Sequence, residues 1–283
     1  MKYTPFYHKS TLNFGGGLKS LSSTWVMGIL NLTPDSFFSG SRVLPEQLID
    51  RAGEMIKAGV DIIDIGGYSS RPGAADITEE EELIRVVNAI SILHKAFPDL
   101  LISIDTFRSK VAKEAVLAGA RMINDISGGQ SDPKMFETVA ELKVPYVLMH
   151  MRGNPKTMQS LTHYDNMMSE LIRFFSIQIK KLHELGIHDI IIDPGFGFSK
   201  TIEQNFYLLE NLNELHVLNT PILAGISRKS FIYKSLNIPI EEALSGSIAV
   251  NLLALQQGVD ILRVHDVKET KELVKLITFI ENH

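Results

Sequence analysis

Eight short apolar segments alternate with longer amphipathic stretches along the chain, and this alternation constrains the fold more than any other feature. Each segment is almost continuously apolar, which indicates a strand buried on both faces, as in a parallel sheet. The strand candidates are WVMGIL from Trp25, VDIIDIGG from Val60, LLISID from Leu100, ARMINDIS from Ala120, PYVLMHM from Pro145, DIIIDPG from Asp189, PILAGIS from Pro221 and VDILRVHD from Val259. Consecutive parallel strands need a crossover connection, which the amphipathic stretches are long enough to supply.

Those stretches predict helices, because their apolar residues recur at helical spacing. The predicted helices are Pro45–Ala58, Thr78–Phe97, Phe107–Ala118, Asp132–Leu142, Tyr164–Leu185, Ile202–Leu212, Ile240–Gln257 and Lys268–Ile280. Glycines suited to left-handed helix caps precede four of the strands, at Gly59, Gly119, Gly186 and Gly258. A strand–helix unit repeated about eight times predicts an α/β fold of the (β/α)8 TIM-barrel type, with an open doubly wound sheet as the alternative.

The length of 283 residues suits one such barrel. No Ser-, Gly- or Pro-rich linker divides the chain, so a single domain is predicted over residues 1–283. The segment 1–24, with its Gly15-Gly16-Gly17 run, is predicted to form an N-terminal hairpin or cap over the barrel bottom.

Charge and composition exclude several classes of protein. The net charge of −5 argues against a nucleic-acid binder, which usually carries a basic face. The absence of cysteine excludes disulfides and thiolate nucleophiles. No apolar run reaches membrane-spanning length, and the first residues lack the apolar core of a signal peptide, so a cytoplasmic protein without membrane partners is expected.

Every predicted strand ends in polar or glycine-rich residues. These clusters begin at Asn31, Gly66, Asp105, Asn124, Met149, Asp193, Ser227 and Arg263. Because the carboxyl ends of barrel strands meet at one rim, where barrel active sites lie, the clusters are predicted to converge on one pocket.

The residue types at this rim predict a ligand class. Short side chains with acceptor oxygens are Asp105, Asn124 and Asp193, which together suit the NH-rich edge of a heterocycle. Side chains that suit an anion are Arg71, Lys229, Arg263 and His265. A heterocycle that carries phosphate is therefore the predicted ligand.

Each of these residues also has a purely structural interpretation. Asp105 could cap the following helix, Asn124 could satisfy buried backbone groups, and Asp193 could form a turn before Pro194. Arg71 and Arg263 could form surface ion pairs. Asp61 and Asp125 are interpreted as structural, and His150 as a hydrogen-bonded rim histidine.

Several strings then identify a family that the chain resembles. They are MGILNLTPDSF, DIGGYSSRPGA, ISIDTFR, INDISGG, DPGFGFSK, GISRKS and RVHD, between Met27 and Asp266. In this order they resemble the dihydropteroate synthases, pterin-binding enzymes of tetrahydrofolate biosynthesis that sulfonamides inhibit. The resemblance implies a transferase that joins (7,8-dihydropterin-6-yl)methyl diphosphate to 4-aminobenzoate. It also implies release of pyrophosphate, assistance by Mg²⁺ and a homodimer.

The resemblance also implies roles for single residues. The pterin site would contain Asp105, Asn124, Met149, Asp193 and Lys229. The diphosphate would be held by Asn31, Arg71, Arg263 and His265, with Asn31 also at the magnesium ion. The catalytic set would be Asn31, Arg71, Lys229, Arg263 and His265. The 4-aminobenzoate site would be bordered by Phe37, Ser70, Pro72, Phe198 and Ser230, next to Lys229.

The chain departs from the family pattern at three places. Tyr68 and Ser70 stand where the family commonly has Glu and Thr, and Ser199 replaces a glycine of the usual GFGFGK string. The first loop lacks the usual aspartate and reads SFFSGS, with Phe38, Ser39 and Ser41. The resemblance therefore assigns no role to Tyr68 or to these loop residues.

Two other functions compete with this assignment. A pterin-binding domain that transfers methyl from methyltetrahydrofolate would share the Asp and Asn residues, but it needs no diphosphate anchors. A non-catalytic paralogue that only binds pterin would be expected to lose Asn31, Arg263 or His265, and all three are present.

Overall fold

The computed structural model describes residues 11–32, 38–39, 42–68 and 77–282. Its strands are β1 (Thr11–Phe14), β2 (Gly17–Ser20), β3 (Trp25–Asn31), β4 (Phe38–Ser39), β5 (Arg42–Val43), β6 (Ile62–Gly66), β7 (Leu101–Asp105), β8 (Met122–Asp125), β9 (Tyr146–Met149), β10 (Ile190–Asp193), β11 (Leu223–Ala224) and β12 (Ile261–Val264). Eight of these described strands form one parallel sheet in the order β10-β9-β8-β7-β6-β3-β12-β11. A parallel bridge between Ile192 and Ile222 joins the two edges of this sheet. The predicted (β/α)8 barrel is thus confirmed.

The described helices surround the barrel. They are α1 (Pro45–Lys57), α2 (Glu79–Ala96), α3 (Ser109–Leu117), α4 (Met135–Leu142), α5 (Met167–Glu184), α6 (Ile202–Glu210), α7 (Ser230–Leu236), α8 (Leu244–Gln256) and α9 (Val267–Asn282). Local signals explain two starts: the Thr78 hydroxyl accepts from Glu81 N at 3.1 Å, and Thr201 forms a capping box with Gln204. Within the described ranges, no helix combines the length and apolar character needed to cross a membrane.

One helix was not predicted, and another begins later than predicted. The short helix α7 was not predicted, because its seven residues begin after Lys229, which gives no side-chain cap. The helix predicted from Ile240 begins instead at Leu244, after a separate 3-10 turn at Ile240–Glu242. Neither error changes the order of the barrel strands.

Alternation along the strands decides which side chains face the barrel lumen. In β6, Ile63 and Ile65 pack outward into the core shared with the helices, while Ile62 packs inside the barrel with Met27 and Met122. Asp64 and Gly66 therefore share the inward face with Ile62. The same alternation turns Asp105, Asn124, Met149, Asp193 and Arg263 inward, above a lower layer that is entirely apolar.

The hairpin of β1 and β2 lies at the lower, N-terminal end of the barrel. Its Leu12 and Phe14 are buried with Trp25 against the inward-facing side chains at the starts of the strands. The Phe14 and Trp25 rings stack with their centroids 6.0 Å apart. Asn13 N donates to Asp189 Oδ1 at 2.8 Å, which ties the hairpin to the start of β10. The hairpin therefore closes the barrel at the end opposite the polar rim.

Candidate active site

A row of residues crosses four neighbouring strands at the C-terminal rim. Asn31 is paired with Gly66, Gly66 with Asp105, and Asp105 with Asn124 in the strand registers. A Cβ atom on Gly66 would lie 3.2 Å from Asn31 Oδ1, so glycine leaves room for the amide here. On the other side of the lumen Met149 is paired with Asp193. The sequence-predicted Asn31, Asp105, Asn124, Met149 and Asp193 thus face one mouth.

Arg263 reaches across the lumen between two carboxylates. Its Nε donates to Asp64 Oδ2 at 2.6 Å, and its Nη2 donates to Asp105 Oδ2. Asp64 is fully buried, and its Oδ2 also accepts from Asn124 Nδ2 at 2.9 Å. Sequence analysis grouped Arg263 with a separate set of anion-binding side chains, whereas in the structure its guanidinium is part of the same network as Asp105 and Asn124. These two bonds use two of the five N–H groups that a guanidinium carries.

This network shifts the charge equilibria of its members. Burial raises the pKa of Asp105 to about 7, although the Arg263 guanidinium lowers it and the Asp64 carboxylate raises it further. Burial works against the charge of Arg263, but the carboxylates of Asp64 and Asp105 hold its pKa above the usual value. The Arg263 cation is thus shared by two carboxylates, and the pKa of one of them, Asp105, lies near neutral pH.

Asp193 and Lys229 form a second polar pair at the mouth. Burial raises the pKa of Asp193, and the Lys229 ammonium opposes that rise. Burial lowers the pKa of Lys229 to about 8, which Asp193 opposes in turn. Asp193 Oδ1 accepts from Gly195 N at 2.7 Å, and Lys229 Nζ donates to Phe196 O. Gly225 lies beside this carboxylate, since a Cβ atom there would be 3.8 Å from Asp193 Oδ2.

An apolar surface lies beside these charges. Met149, Ile126, Met151 and Met158 are buried together, with Phe107 and Phe198 packed against them at the rim. Lys229 Nζ lies 4.5 Å from the centroid of the Phe198 ring, within the range of a cation–π contact. A flat ring could therefore lie against Met149 while its edge meets the polar groups.

His265 and Ser230 lie at neighbouring strand ends. His265 ends the segment that leads from β12 into α9, and its backbone N–H donates to the Ser227 hydroxyl at 3.3 Å. Ser230 is exposed at the first residue of α7. Arg228 and Asp266 join the two segments by hydrogen bonds of 2.9 and 2.8 Å. These contacts bring the SRKS and RVHD strings together at the rim.

Tyr68 belongs to a cluster at the end of β6. Its ring meets that of Phe107 edge-on, with 5.2 Å between centroids, and the Arg108 guanidinium lies 5.8 Å from its centroid. Arg108 also donates to Ile77 O at 2.8 Å and to the buried Glu82 at 2.5 Å. Tyr68 therefore takes part in the packing at the base of the second rim loop.

Several residues predicted for the site or its first loop belong to the part of the chain that the structure does not describe. Phe37, Ser70, Arg71 and Pro72 lie outside the described residues, as does Ser41. Sequence analysis also missed two buried residues of the site, Asp64 and Lys200. A charged residue amid the apolar letters of VDIIDIGG was the available signal for Asp64. Lys200 is the last residue of the DPGFGFSK string, and its position relative to the apolar residues gave no sign that it would be buried.

Lys200 lies under the loop that follows β10. It donates to the carbonyl oxygens of Pro194, Gly195 and Phe198 at 2.8, 3.0 and 3.1 Å. Burial lowers its pKa to about 7. His150 Nδ1 lies 3.5 Å from its ammonium, and burial keeps the pKa of His150 well below the usual value. Lys200 thus braces the loop between Asp193 and Phe198.

Comparisons with known proteins identify relatives with this geometry. A family model described as "Pterin binding enzyme" matches residues 27–265. The chain is 46% identical over 262 residues to the dihydropteroate synthase of Escherichia coli K12, covering 91% of this chain and 92% of the relative.

Solved structures give the same result. The fold matches a Yersinia pestis dihydropteroate synthase in complex with a sulfonamide drug, with a TM-score of 0.90 and 42% identity, over 97% of this chain and all (100%) of that chain. It also matches a Xanthomonas albilineans dihydropteroate synthase with 4-aminobenzoic acid, with a TM-score of 0.88 and 39% identity, over 96% and 98% of the two chains.

Proposed function

The chain belongs to the pterin-binding enzyme family, and from this membership we infer that it acts as a dihydropteroate synthase. It is a transferase that joins (7,8-dihydropterin-6-yl)methyl diphosphate to 4-aminobenzoate, yielding 7,8-dihydropteroate and pyrophosphate in folate biosynthesis. The observation in the structure that carries this function is the row Asn31–Gly66–Asp105–Asn124, which faces Asp193 across one barrel mouth.

We propose that the pterin lies in this mouth against Met149. A pterin presents several N–H donors along one edge, and the carboxylates of Asp105 and Asp193, which accept from Arg263 and Gly195, can accept further hydrogen bonds from such donors. The Asn124 amide both donates and accepts, so it can meet a mixed edge. Lys229 supplies a donor beside Asp193 for the ring's acceptor atoms.

The diphosphate would extend toward the last strand. We propose Asn31, Arg71, Arg263 and His265 as its anchors. In the reaction the amine nitrogen of 4-aminobenzoate bonds to the methylene carbon, the C–O bond to diphosphate breaks, and the nitrogen loses a proton. The electron-rich dihydropterin can stabilise positive charge on the methylene, so no strong base is needed. The anchors then have to stabilise the charge that collects on the leaving pyrophosphate.

Mg²⁺ fits this donor set. No group of three or more His, Asp or Glu side chains capable of holding a metal occurs in the part of the chain that the structure describes. Mg²⁺ commonly takes one or two protein oxygens and completes its shell with water and substrate phosphates. We propose that Asn31 would hold it together with the diphosphate, where the ion would offset charge on the leaving group.

4-Aminobenzoate would bind outside the pterin, toward the rim. We propose Phe198 and Ser230, with Phe37, Ser70 and Pro72 from the neighbouring loops, as its border, next to Lys229. The solved relatives that hold 4-aminobenzoic acid or a sulfonamide share this fold, and we therefore propose that sulfonamides inhibit this enzyme by occupying the same border.

We also propose a homodimer. Leu276, Phe279 and Ile280 are exposed on α9, and Leu253 is exposed on the adjacent α8. Apolar side chains grouped in this way on a surface commonly mark an interface. Light scattering of the purified protein measures the assembly. A cytoplasmic location stays a prediction from the sequence, which cell fractionation would test.

The function is tested by incubating the protein with the dihydropterin diphosphate, 4-aminobenzoate and Mg²⁺. We expect pyrophosphate and dihydropteroate in equal amounts. A folded protein that binds pterin but forms neither product would instead be a non-catalytic paralogue. Methyl transfer from methyltetrahydrofolate to a corrinoid, with no dihydropteroate, would establish the other alternative.

A further inference from the structure

Ser199 has a backbone conformation that needs a compensating contact. It is fully buried and has a φ of 51°, in the left-handed region that a residue with a Cβ atom rarely adopts. Glycine, which is usual at this place in the family string, has no such restriction. A serine here is disfavoured unless its hydroxyl makes interactions that glycine could not.

The hydroxyl makes two such interactions, both with the loop that follows β9. Ser199 Oγ accepts from Arg152 N at 2.8 Å and donates to Arg152 O at 3.0 Å. The Ser199 carbonyl accepts from the Tyr164 hydroxyl at 3.1 Å, and the Arg152 guanidinium lies 3.8 Å from the Tyr164 ring centroid. Three hydrogen bonds therefore join the loop after β10 to the loop after β9.

The loop held in this way is the one that contacts Lys229. Phe196 O accepts from Lys229 Nζ, the Phe198 ring lies under the same ammonium, and a Cβ atom on Gly197 would lie 3.0 Å from Lys229 Cδ. Lys200 holds three carbonyls of this loop around its own ammonium, which couples the positions of the loop residues to one another. A displacement at Ser199 would therefore reach the side chain of Lys229.

We propose that Ser199 is a positioning residue for pterin binding, which acts by tying two rim loops together and so fixing Lys229. The inference rests on the proposed pterin site. The strained serine is retained because its two hydrogen bonds supply a rigidity that the usual glycine does not.

The experiment measures binding of 6-hydroxymethylpterin by calorimetry to the wild-type protein, Ser199→Gly, Lys229→Met and the double variant. Ser199→Gly relieves the backbone strain while removing both hydrogen bonds, so the protein should fold. We expect it to bind the pterin about threefold to tenfold more weakly than wild type, the range that one lost hydrogen bond commonly gives. In the Lys229→Met background the same substitution should have little further effect, because the residue through which it acts is gone.

Lys143→Gly is the matched control. Lys143 has a φ of 53° after α4, at the opposite end of the barrel, so this variant also replaces a left-handed residue by glycine. It should bind the pterin as wild type does. Tyr164→Phe is a second test variant, which removes one hydrogen bond to the Ser199 carbonyl and should weaken binding about twofold.

Two results would overturn the inference. One is wild-type pterin affinity in both Ser199→Gly and Tyr164→Phe. The other is an equal loss with and without the Lys229 side chain, which would indicate a general structural role. A wild-type protein that binds no pterin would overturn the proposed function itself, and the inference with it.

Discussion

Arg263 Nε lies 2.6 Å from Asp64 Oδ2, although 199 residues separate the two along the chain. Asp64 is fully buried under the barrel mouth and also accepts from the Asn124 amide, while the Arg263 side chain keeps 17% of its surface exposed. Arg263 was predicted either to meet an anionic substrate or to form a surface ion pair, and in the structure two carboxylates inside the lumen hold it from below. Its position does not depend on the substrate being present.

Replacing Asp64 by Asn should destabilise the protein and weaken pterin binding. The variant leaves the Arg263 guanidinium with Asp105 as its remaining carboxylate, and breaking a buried pair of this kind costs roughly 3–5 kcal/mol. Urea unfolding measures the loss of stability, and calorimetry with a pterin measures binding. Asp61→Asn is the control, because Asp61 pairs with Lys271 at the other end of the barrel and is partly exposed. It should lose about 1 kcal/mol or less and keep its pterin affinity. Equal effects of the two variants would contradict the prediction.

Asp193→Asn should weaken pterin binding about tenfold, or roughly 1.4 kcal/mol, since one acceptor becomes a donor and Lys229 loses its counter-charge. Calorimetry with 6-hydroxymethylpterin checks this value. Asp189→Asn is a matched control directly before the same strand, where the carboxylate accepts from Asn13 N at the bottom of the barrel. The role assigned to Asp193 fails if its variant binds as tightly as the control.

His265→Ala should weaken binding of the diphosphate part of the first substrate without weakening binding of its pterin part. The variant loses a proposed diphosphate anchor but no contact of the Asp64 network, so the KM for the diphosphate substrate should rise about tenfold or more. Affinity for a pterin without diphosphate should stay within about twofold of wild type. Arg263→Ala should differ, because it also leaves Asp64 and Asp105 without their cation and should impair both ligands. Similar losses for both ligands in His265→Ala would argue against the anchor.

The raised pKa of Asp105 predicts how the free energy of unfolding depends on pH. Between its usual value of 3.8 and about 7, the folded protein holds a proton that the unfolded chain has released. The folded state binds more protons in this window, so the contribution of Asp105 to the free energy of unfolding falls as pH rises through it. At about 1.4 kcal/mol per pKa unit, the change has an upper limit of roughly 4 kcal/mol.

The test compares wild type with Asp105→Asn by urea unfolding from pH 4 to pH 8. Asp125 and Glu82 also have raised pKa values and are present in both proteins, so the comparison cancels their contributions apart from their Coulombic interactions with Asp105 itself. The difference between the two proteins should therefore shift in favour of the variant as pH rises. A constant difference would mean that Arg263 keeps Asp105 ionised throughout.

Residues with a local signal were predictable from the sequence. Near-continuous apolar runs placed Asp105, Asn124 and Asp193 at strand ends, and parallel strands in a barrel must bring those ends together. The bonds between lumen side chains were not predictable, because alternation gives the face and height of a residue but not the neighbour it meets across the barrel. This is why Asp64 was missed and why the bonds of Arg263 to Asp64 and Asp105 inside the lumen were not predicted.

Short and irregular elements were the other features that could not be predicted from the sequence. Helix α7 has seven residues and no capping side chain, so its start carries no sequence signature. Ser199 was recognised as a departure from the family string, but its left-handed backbone and its bonds to Arg152 depend on a loop 47 residues earlier in the chain. Contacts of this kind are set by the packing of the finished barrel.

The hairpin of β1 and β2 also determines from which end of the barrel a ligand can enter the lumen. By closing the lower end of the barrel it leaves the C-terminal mouth as the way in and out of the lumen. Whatever binds deepest must arrive first and depart last. A pterin bound at the proposed site against Asp105 and Asp193 would therefore have to enter before 4-aminobenzoate binds above it, and a sulfonamide bound at the proposed 4-aminobenzoate position would keep that pterin from leaving.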